Sequence, residues 1–136
     1  MKILLATDGS AAAAVGVQLA AAVAWPAAST LRVVTAVDTG SALFGGPWPA
    51  AALVQASDVE AELQEYANRI VREAAGLLRR PELAIETAVL KGRPAVAVCA
   101  EADRFDADLI IVGGRGHGRI ESMLHQGLKA RRHVFW

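Results

Sequence analysis

The densest cluster of residues that could do chemistry is the glycine-rich segment Gly113–Gly118, GGRGHG. Four glycines in six residues can present successive backbone N–H groups to an anion, and Arg115 can add positive charge. The segment lacks both the Gly-Lys-Ser/Thr ending of the Walker loop and the third glycine of the dinucleotide motif G-x-G-x-x-G. It is therefore predicted to bind phosphate; the alternative is a tight turn in which the glycines only relieve backbone strain.

Asp8 is the second candidate, at the start of the short segment Asp8-Gly9-Ser10. It directly follows the apolar run Lys2–Thr7, and a carboxylate at the end of a first parallel strand can hydrogen-bond a ribose or a base, or hold a metal. An Asx turn or a helix N-cap explains the same residues and needs no ligand. Taken alone, Asp8 favours the turn or cap.

Both candidates follow strands in a chain where short apolar runs alternate with helical segments. The predicted strands are Lys2–Thr7, Thr30–Val37, Leu83–Leu90 and Leu109–Val112. The predicted helices span about 10–25, Asp58–Arg80 and about 94–104, with another beginning near Arg119 or Ile120. This alternation is typical of a parallel sheet with right-handed crossovers, in which ligands bind at the carboxyl ends of the strands.

The helix Asp58–Arg80 has the clearest amphipathic pattern in the sequence. Its larger apolar residues are predicted to face the core, namely Val59, Leu63, Tyr66, Ile70 and Leu77. A long irregular loop is predicted before it, from Asp38 to about Ser57, and long loops in compact domains are usually functional or mobile.

Length and composition exclude several classes of protein. A chain of 136 residues is one ordinary domain, and its formal net charge of zero gives no reason to expect a nucleic acid or an anionic membrane as partner. The apolar stretch Ala11–Ala24 is too short to span a membrane. A single cysteine, Cys99, excludes an intramolecular disulfide and fits the cytoplasm as the expected location. The spacing of His117, His125 and His133 does not suit a metal site, and no metal-binding residue is predicted.

Two segments, KILLATDGS at residues 2–10 and DLIIVGGRGHGRIESML at residues 108–124, together resemble the universal stress protein family. The resemblance implies a single α/β domain with a doubly wound parallel sheet, like that of adenine-nucleotide α-hydrolases. Many members bind ATP through a pattern of Gly, two residues, Gly, nine residues, then Gly and Ser or Thr. Gly113 and Gly116 match the first two glycines, and Asp8 matches the acidic adenosine contact. The binding residues implied are Ala6, Thr7, Asp8, Ala36, Val112, Gly113, Arg115, Gly116, Gln126 and Gly127.

The end of the chain departs from the family pattern. Gln126 and Gly127 stand where Gly and Ser or Thr are expected, which weakens the contacts to the outer phosphates. The tail at residues 125–136 is atypical and holds too few residues for a helix and an ordinary strand, so the sequence leaves open whether the final strand is present or missing. In the family this strand commonly pairs two subunits, so a homodimer is expected, and it is expected to be weaker if the strand is absent.

The resemblance implies an ATP-binding domain that acts in stress response or signalling, with Mg²⁺ carried mainly by the phosphates. No residue is predicted to be catalytic, since the sequence offers no clear general base and no Walker lysine. Two alternatives stay open: an interaction or signalling protein of the same fold that binds no nucleotide, and a slow ATPase.

Overall fold

A computed structural model describes residues 1–38, 56–113 and 133–135 of the chain. The described strands are β1 (Lys2–Thr7), β2 (Thr30–Val37), β3 (Ala84–Lys91), β4 (Leu109–Gly113) and β5 (His133–Phe135). The described helices are α1 (Ala11–Ala22), α2 (Ala56–Leu78) and α3 (Pro94–Phe105). None of these three helices is long and apolar enough to cross a membrane.

The five strands form one parallel sheet with the order β3-β2-β1-β4-β5. The chain builds outward from β1 through β2 to β3, and β4 then lies on the other side of β1. The strand order therefore reverses between β1 and β4, which is the switch point of a doubly wound sheet. The predicted fold class, α/β with a single doubly wound parallel sheet, is confirmed.

Alternate residues of β1 enter two separate cores. Ile3 and Leu5 pack with residues of α1 and α2, whereas Leu4 and Ala6 pack with residues of α3. All four side chains are buried. Because helices cover both faces of the sheet, the central strand is a continuous apolar run rather than an alternating one.

The face that α2 turns toward the sheet differs from the prediction. Its buried residues are Ala67, Val71, Ala74, Ala75 and Leu78. Tyr66 is 56% exposed and Leu77 is 72% exposed, so the prediction that these two face the core is wrong. The prediction followed the largest apolar side chains, but a stripe containing three alanines lets the helix lie close to the strands and turns Tyr66 and Leu77 outward.

The structure contains the final strand, whose presence the sequence left open. His133 of β5 is the register partner of Leu109, and Phe135 is the partner of Ile111, in parallel pairing with β4. A strand at this edge needs only the backbone groups of β4 as partners, so three residues suffice. The shortage of residues thus gives a short fifth strand instead of a missing one.

Candidate functional site

The carboxyl ends of β1 and β4 meet at the switch point of the sheet. Thr7 is the register partner of Gly113, and Ala6 is the partner of Val112. The turn at residues 8–10, here called the Asp8 turn, therefore begins beside the point where the glycine-rich segment begins. The structure brings together the two regions in which the sequence placed its candidate residues.

Three side-chain hydrogen bonds hold the Asp8 turn. The backbone N–H of Ser10 donates to Oδ1 of Asp8 at 2.9 Å, and the N–H of Gly9 donates to Oγ1 of Thr7 at 3.2 Å. Ser10 caps α1, since its Oγ accepts from the N–H of Ala13 at 3.2 Å. Gly9 has φ of 74°, a conformation that L residues rarely adopt. The local sequence thus makes a tight turn that leads directly into a capped helix.

Only one carboxylate oxygen of Asp8 takes part in the hydrogen bonds of the turn among the described residues. The side chain is exposed, and Oδ1 is occupied by the N–H of Ser10. Within the described residues, Oδ2 has no hydrogen-bond partner. The Asx-turn alternative therefore accounts for one oxygen only, and the N-cap of α1 is Ser10 and not Asp8. A carboxylate held in this way can accept a hydrogen bond from a hydroxyl donor.

Two small or medium apolar residues line the same edge. Ala36 lies two positions beyond Val34, the register partner of Ala6, and so extends past the end of β1. Val112 precedes Gly113 on β4. Ala36 and Val112 are half-buried and pack against the core on the α3 face. Both side chains are therefore partly exposed at the same end of the sheet as the Asp8 turn.

The neighbouring helix α1 leaves no room for a side chain on Gly113. Among the described glycines, the positive φ values belong to Gly9 and Gly92, so the backbone of Gly113 is not in the left-handed region. A Cβ on Gly113 would lie 2.7 Å from the Cα of Ala13 in α1. Strain relief, the alternative offered by the sequence, does not describe this first glycine of the segment.

A small groove of about 230 Å³ lies between α1 and α2. It reaches the Asp8 turn at one end, where Thr7, Gly9 and Ser10 contribute to its wall. Its other wall comes from α2, including Tyr66 and Ile70. The groove therefore borders the turn on the α1–α2 side of the sheet, opposite to the α3 face where Ala36 and Val112 lie.

Four predicted binding residues lie outside the described residues. These are Arg115, Gly116, Gln126 and Gly127. The phosphate half of the candidate site, including the departure at Gln126 and Gly127, therefore stays a prediction. In the described ranges, no group of three or more His, Cys, Asp or Glu side chains could hold a metal ion.

A separate charged cluster lies toward the amino ends of the strands, opposite to the end at which the Asp8 turn lies. Arg32 donates to Oε2 of Glu86 from Nε at 2.8 Å and from Nη2 at 2.6 Å, and to Oε1 of Glu101 from Nη1 at 2.6 Å. Glu101 is buried and also pairs with Arg104, while the Arg32 guanidinium lies 4.0 Å from the ring centre of Phe105. Burial lowers the pKa of Arg32, but the hydrogen bonds and charges of Glu86 and Glu101 outweigh it and raise the pKa overall. The cluster joins α3 to β2 and β3 and lies away from the candidate site.

Ala13 is not among the residues that the sequence singled out, although its backbone lies where a Cβ on Gly113 would be. Ala13 lies in the run Ala11–Ala14, in which every residue is identical and no position stands out. Only the period of the helix could have indicated it, because Ala13, Val17 and Ala20 form the buried stripe of α1.

The comparisons with known proteins agree with this architecture. The Universal stress protein family matches residues 1–126. No curated protein matches the chain significantly in sequence. Among solved structures, a universal stress protein family member from Burkholderia pseudomallei is 26% identical with a TM-score of 0.69, and the match covers 98% of this chain and 92% of that one.

Two more distant structures share the fold. Universal stress protein UspA from Lactobacillus plantarum is 17% identical with a TM-score of 0.69, over 100% of this chain and 97% of that one. A universal stress protein family protein from Arabidopsis thaliana, solved with AMP bound, is 13% identical with a TM-score of 0.60, over 99% and 90% of the two chains. Because the family matches residues 1–126 and these structures share the fold, the chain belongs to the universal stress protein family.

Proposed function

We propose that this chain binds an adenine nucleotide, with ATP as the ligand, at the carboxyl ends of β1 and β4 and acts through it in stress response or signalling. The observation that carries the proposal is the Thr7–Gly113 register pairing, which sets the Asp8 turn beside the first glycine of the segment. The AMP bound to the Arabidopsis thaliana relative supports an adenine nucleotide as the class of ligand.

The described residues fit the adenosine part of such a ligand. Oδ2 of Asp8 can accept a hydrogen bond from a ribose hydroxyl, and the Thr7–Asp8 backbone can contact the adenine. Ala36 and Val112 offer half-buried apolar surface for the ring. A site of this kind combines apolar contact with a few placed polar groups, as nucleotide sites generally do.

The phosphates would lie along the glycine-rich segment. Backbone N–H groups from Gly113 to Gly116 are the proposed donors, and Arg115 is the proposed charge partner. Mg²⁺, if it accompanies ATP, would be held largely through the phosphates, since magnesium usually keeps few protein ligands. Gln126 and Gly127 replace the usual closing residues, so this half of the site contributes less affinity than a complete pattern would.

Calorimetric titration with ATP and with adenosine tests the proposal. Asp8→Asn keeps an amide oxygen that can accept from the N–H of Ser10, so the turn survives while the carboxylate is lost. Losing a hydrogen bond to a charged group costs about 1.5–3 kcal/mol, which weakens binding by roughly 10- to 100-fold for both ligands.

The control variant is Glu82→Ala, which removes an exposed carboxylate before the start of β3, at the amino edge. It is expected to bind both ligands as the wild type does. Gly116→Glu is expected to weaken ATP more than adenosine, because it places negative charge in the phosphate cradle. Wild-type affinity in both Asp8→Asn and Gly116→Glu would refute the site.

The departure at Gln126 and Gly127 motivates a second candidate, a signalling protein of this fold without a nucleotide. Purified protein without adenine absorbance and without a thermal shift at millimolar ATP would favour this candidate over the first.

We also propose that the chain forms a weak homodimer through β5. This strand lies at the edge of the sheet but offers only three residues for pairing. Light scattering across a dilution series is expected to show dissociation at micromolar concentration, and a dimer that persists at nanomolar concentration would contradict this interface.

A further inference from the structure

The backbone of α1 occupies the space in which a side chain on Gly113 would lie. A Cβ on Gly113 would be 2.7 Å from the Cα of Ala13, 2.8 Å from its carbonyl oxygen and 3.2 Å from its carbonyl carbon. All three are backbone atoms, so no rotation of a side chain can make room. A substitution at Gly113 must therefore displace either α1 or the end of β4.

The crowding is confined to one turn of α1. A Cβ on Gly16, the next residue of the helix that faces Gly113, would lie 3.5 Å from the Cα of Gly113 and 3.7 Å from Cγ2 of Ile111. These are ordinary van der Waals separations. The interface therefore has room for a methyl group on Gly16, but it has no room for one on Gly113 beside Ala13.

Hydrogen bonds link the first turn of α1 to Asp8. Ser10 is tied to this turn twice, since its Oγ accepts from the N–H of Ala13 at 3.2 Å and its carbonyl oxygen accepts from the N–H of Ala14 at 3.0 Å. Asp8 is tied to Ser10 by the 2.9 Å bond between Oδ1 and the N–H of Ser10. The three links form a short chain from the contact at Ala13 to the carboxylate of Asp8.

We propose that Gly113 and Ala13 are positioning residues whose backbone contact sets the distance between the Asp8 turn and the carboxyl end of β4. This inference rests on the proposed function, because it assigns these residues a role in the same site. It differs from a phosphate contact in one consequence: Gly113 controls the binding of adenosine, a ligand that has no phosphate.

Adenosine titration into Gly113→Ala separates the two roles. We expect adenosine to bind about tenfold more weakly or worse than to the wild type, as when Asp8 loses its hydrogen bond to the ligand. Gly16→Ala is the matched control, with the same added methyl on the same interface, and is expected to bind within about twofold of the wild type. Unchanged adenosine affinity in Gly113→Ala, with weaker ATP binding, would overturn the positioning role.

A second variant covers the case in which Gly113→Ala does not fold. Gly16→Val adds two carbons beyond a Cβ that would already contact Gly113 and Ile111, so it pushes on α1 one turn away from Ala13. We expect adenosine affinity to fall in the order wild type, Gly16→Ala, Gly16→Val, with most of the loss at the last step. Equal affinity in all three proteins would count against the coupling.

Hydrogen exchange tests the contact without any ligand. We expect faster exchange of the amides of Ser10, Ala13 and Ala14 in Gly113→Ala than in the wild type, with the amides of β2 unchanged. Unaltered exchange at these three amides would overturn the proposal. If wild-type protein binds neither ATP nor adenosine, the proposed function fails, and the exchange measurement still decides whether Gly113 positions the Asp8 turn.

Discussion

The ion pairs of Arg32 give a prediction about stability that is independent of the candidate site. Arg32→Met removes a guanidinium that contacts Glu101 at 2.6 Å and Glu86 at 2.6 Å, and that lies over the ring of Phe105. The Glu101 side chain is only 3% exposed, and its other partner, Arg104, is 71% exposed. The substitution therefore leaves a buried carboxylate with one largely solvated partner.

The expected loss follows from this burial. Breaking a buried pair by removing one partner costs about 3–5 kcal/mol of unfolding free energy, and the lower end applies because Arg104 remains. Loss of the contact with Phe105 adds about 0.5–1 kcal/mol. The sum is about 3–4 kcal/mol, a large share of the stability of an ordinary domain.

Urea unfolding measures this loss of stability. Two further variants show how much of it comes from the pair with Glu86 and how much from the pair with Glu101. Glu86→Gln removes a pair whose carboxylate is 47% exposed, and it is expected to cost less than about 1 kcal/mol. The double variant Arg32→Met with Glu101→Met replaces the charges by apolar groups and is expected to recover most of the loss. Adenosine affinity is expected to stay unchanged in all three, because the cluster lies at the opposite edge of the sheet.

The pH dependence has a definite sign. The pKa of Arg32 is raised in the folded state, so its stabilising contribution is present below the unfolded pKa and is lost only as the pH rises through the folded pKa. The difference between wild type and Arg32→Met is therefore expected to stay constant from about pH 7 to about pH 10. A cost below about 0.5 kcal/mol for Arg32→Met, or a cost equal to that of Glu86→Gln, would refute the reasoning.

Three single substitutions test the local physics of the fold by thermal or urea unfolding. Gly76→Ala lies within α2, where an added Cβ meets no atom within 4 Å, and should stabilise the protein by about 0.5–1 kcal/mol; a loss of stability would contradict the open space. Gly92→Ala has equally open space but φ of 113°, so it should cost about 1–3 kcal/mol, and a neutral result would contradict the assigned backbone strain. Ser10→Ala removes the N-cap of α1 and should cost about 1 kcal/mol of unfolding free energy. It should also weaken adenosine binding, because Ser10 belongs to the Asp8 turn; unchanged affinity would show that the cap does not support the binding site.

The sheet could be predicted from the sequence because its signals are local. Apolar runs such as Lys2–Thr7 alternate with helices, and a chain of that kind has few arrangements other than a parallel sheet. Asp8 and Gly113 could be assigned to one edge for the same reason, since each follows a strand. What the pattern could not show is that the two strands are neighbours, which depends on the order of the strands.

The predictions from the sequence were wrong or incomplete where tertiary packing decided which residues are buried, where a helix ends or which strands pair. Tyr66 and Leu77 fit an amphipathic stripe, but alanines such as Ala67 allow α2 a closer approach to the sheet, and packing overrode residue size. The helix α1 ends at Ala22 rather than near Trp25, because Val23 is already extended. The pairing of β5 with β4 involves residues far apart in sequence, which a pattern of neighbouring residues does not reveal.

Amide chemical-shift mapping during an adenosine titration shows whether an adenine nucleotide binds at the switch point between β1 and β4. We predict that the shifted amides cluster at Thr7–Ser10, at Ala36 and at Val112–Gly113, while those of Arg32 and Glu86 at the opposite edge stay in place. Shifts centred elsewhere on the sheet, or no shifts at millimolar adenosine, would contradict the account.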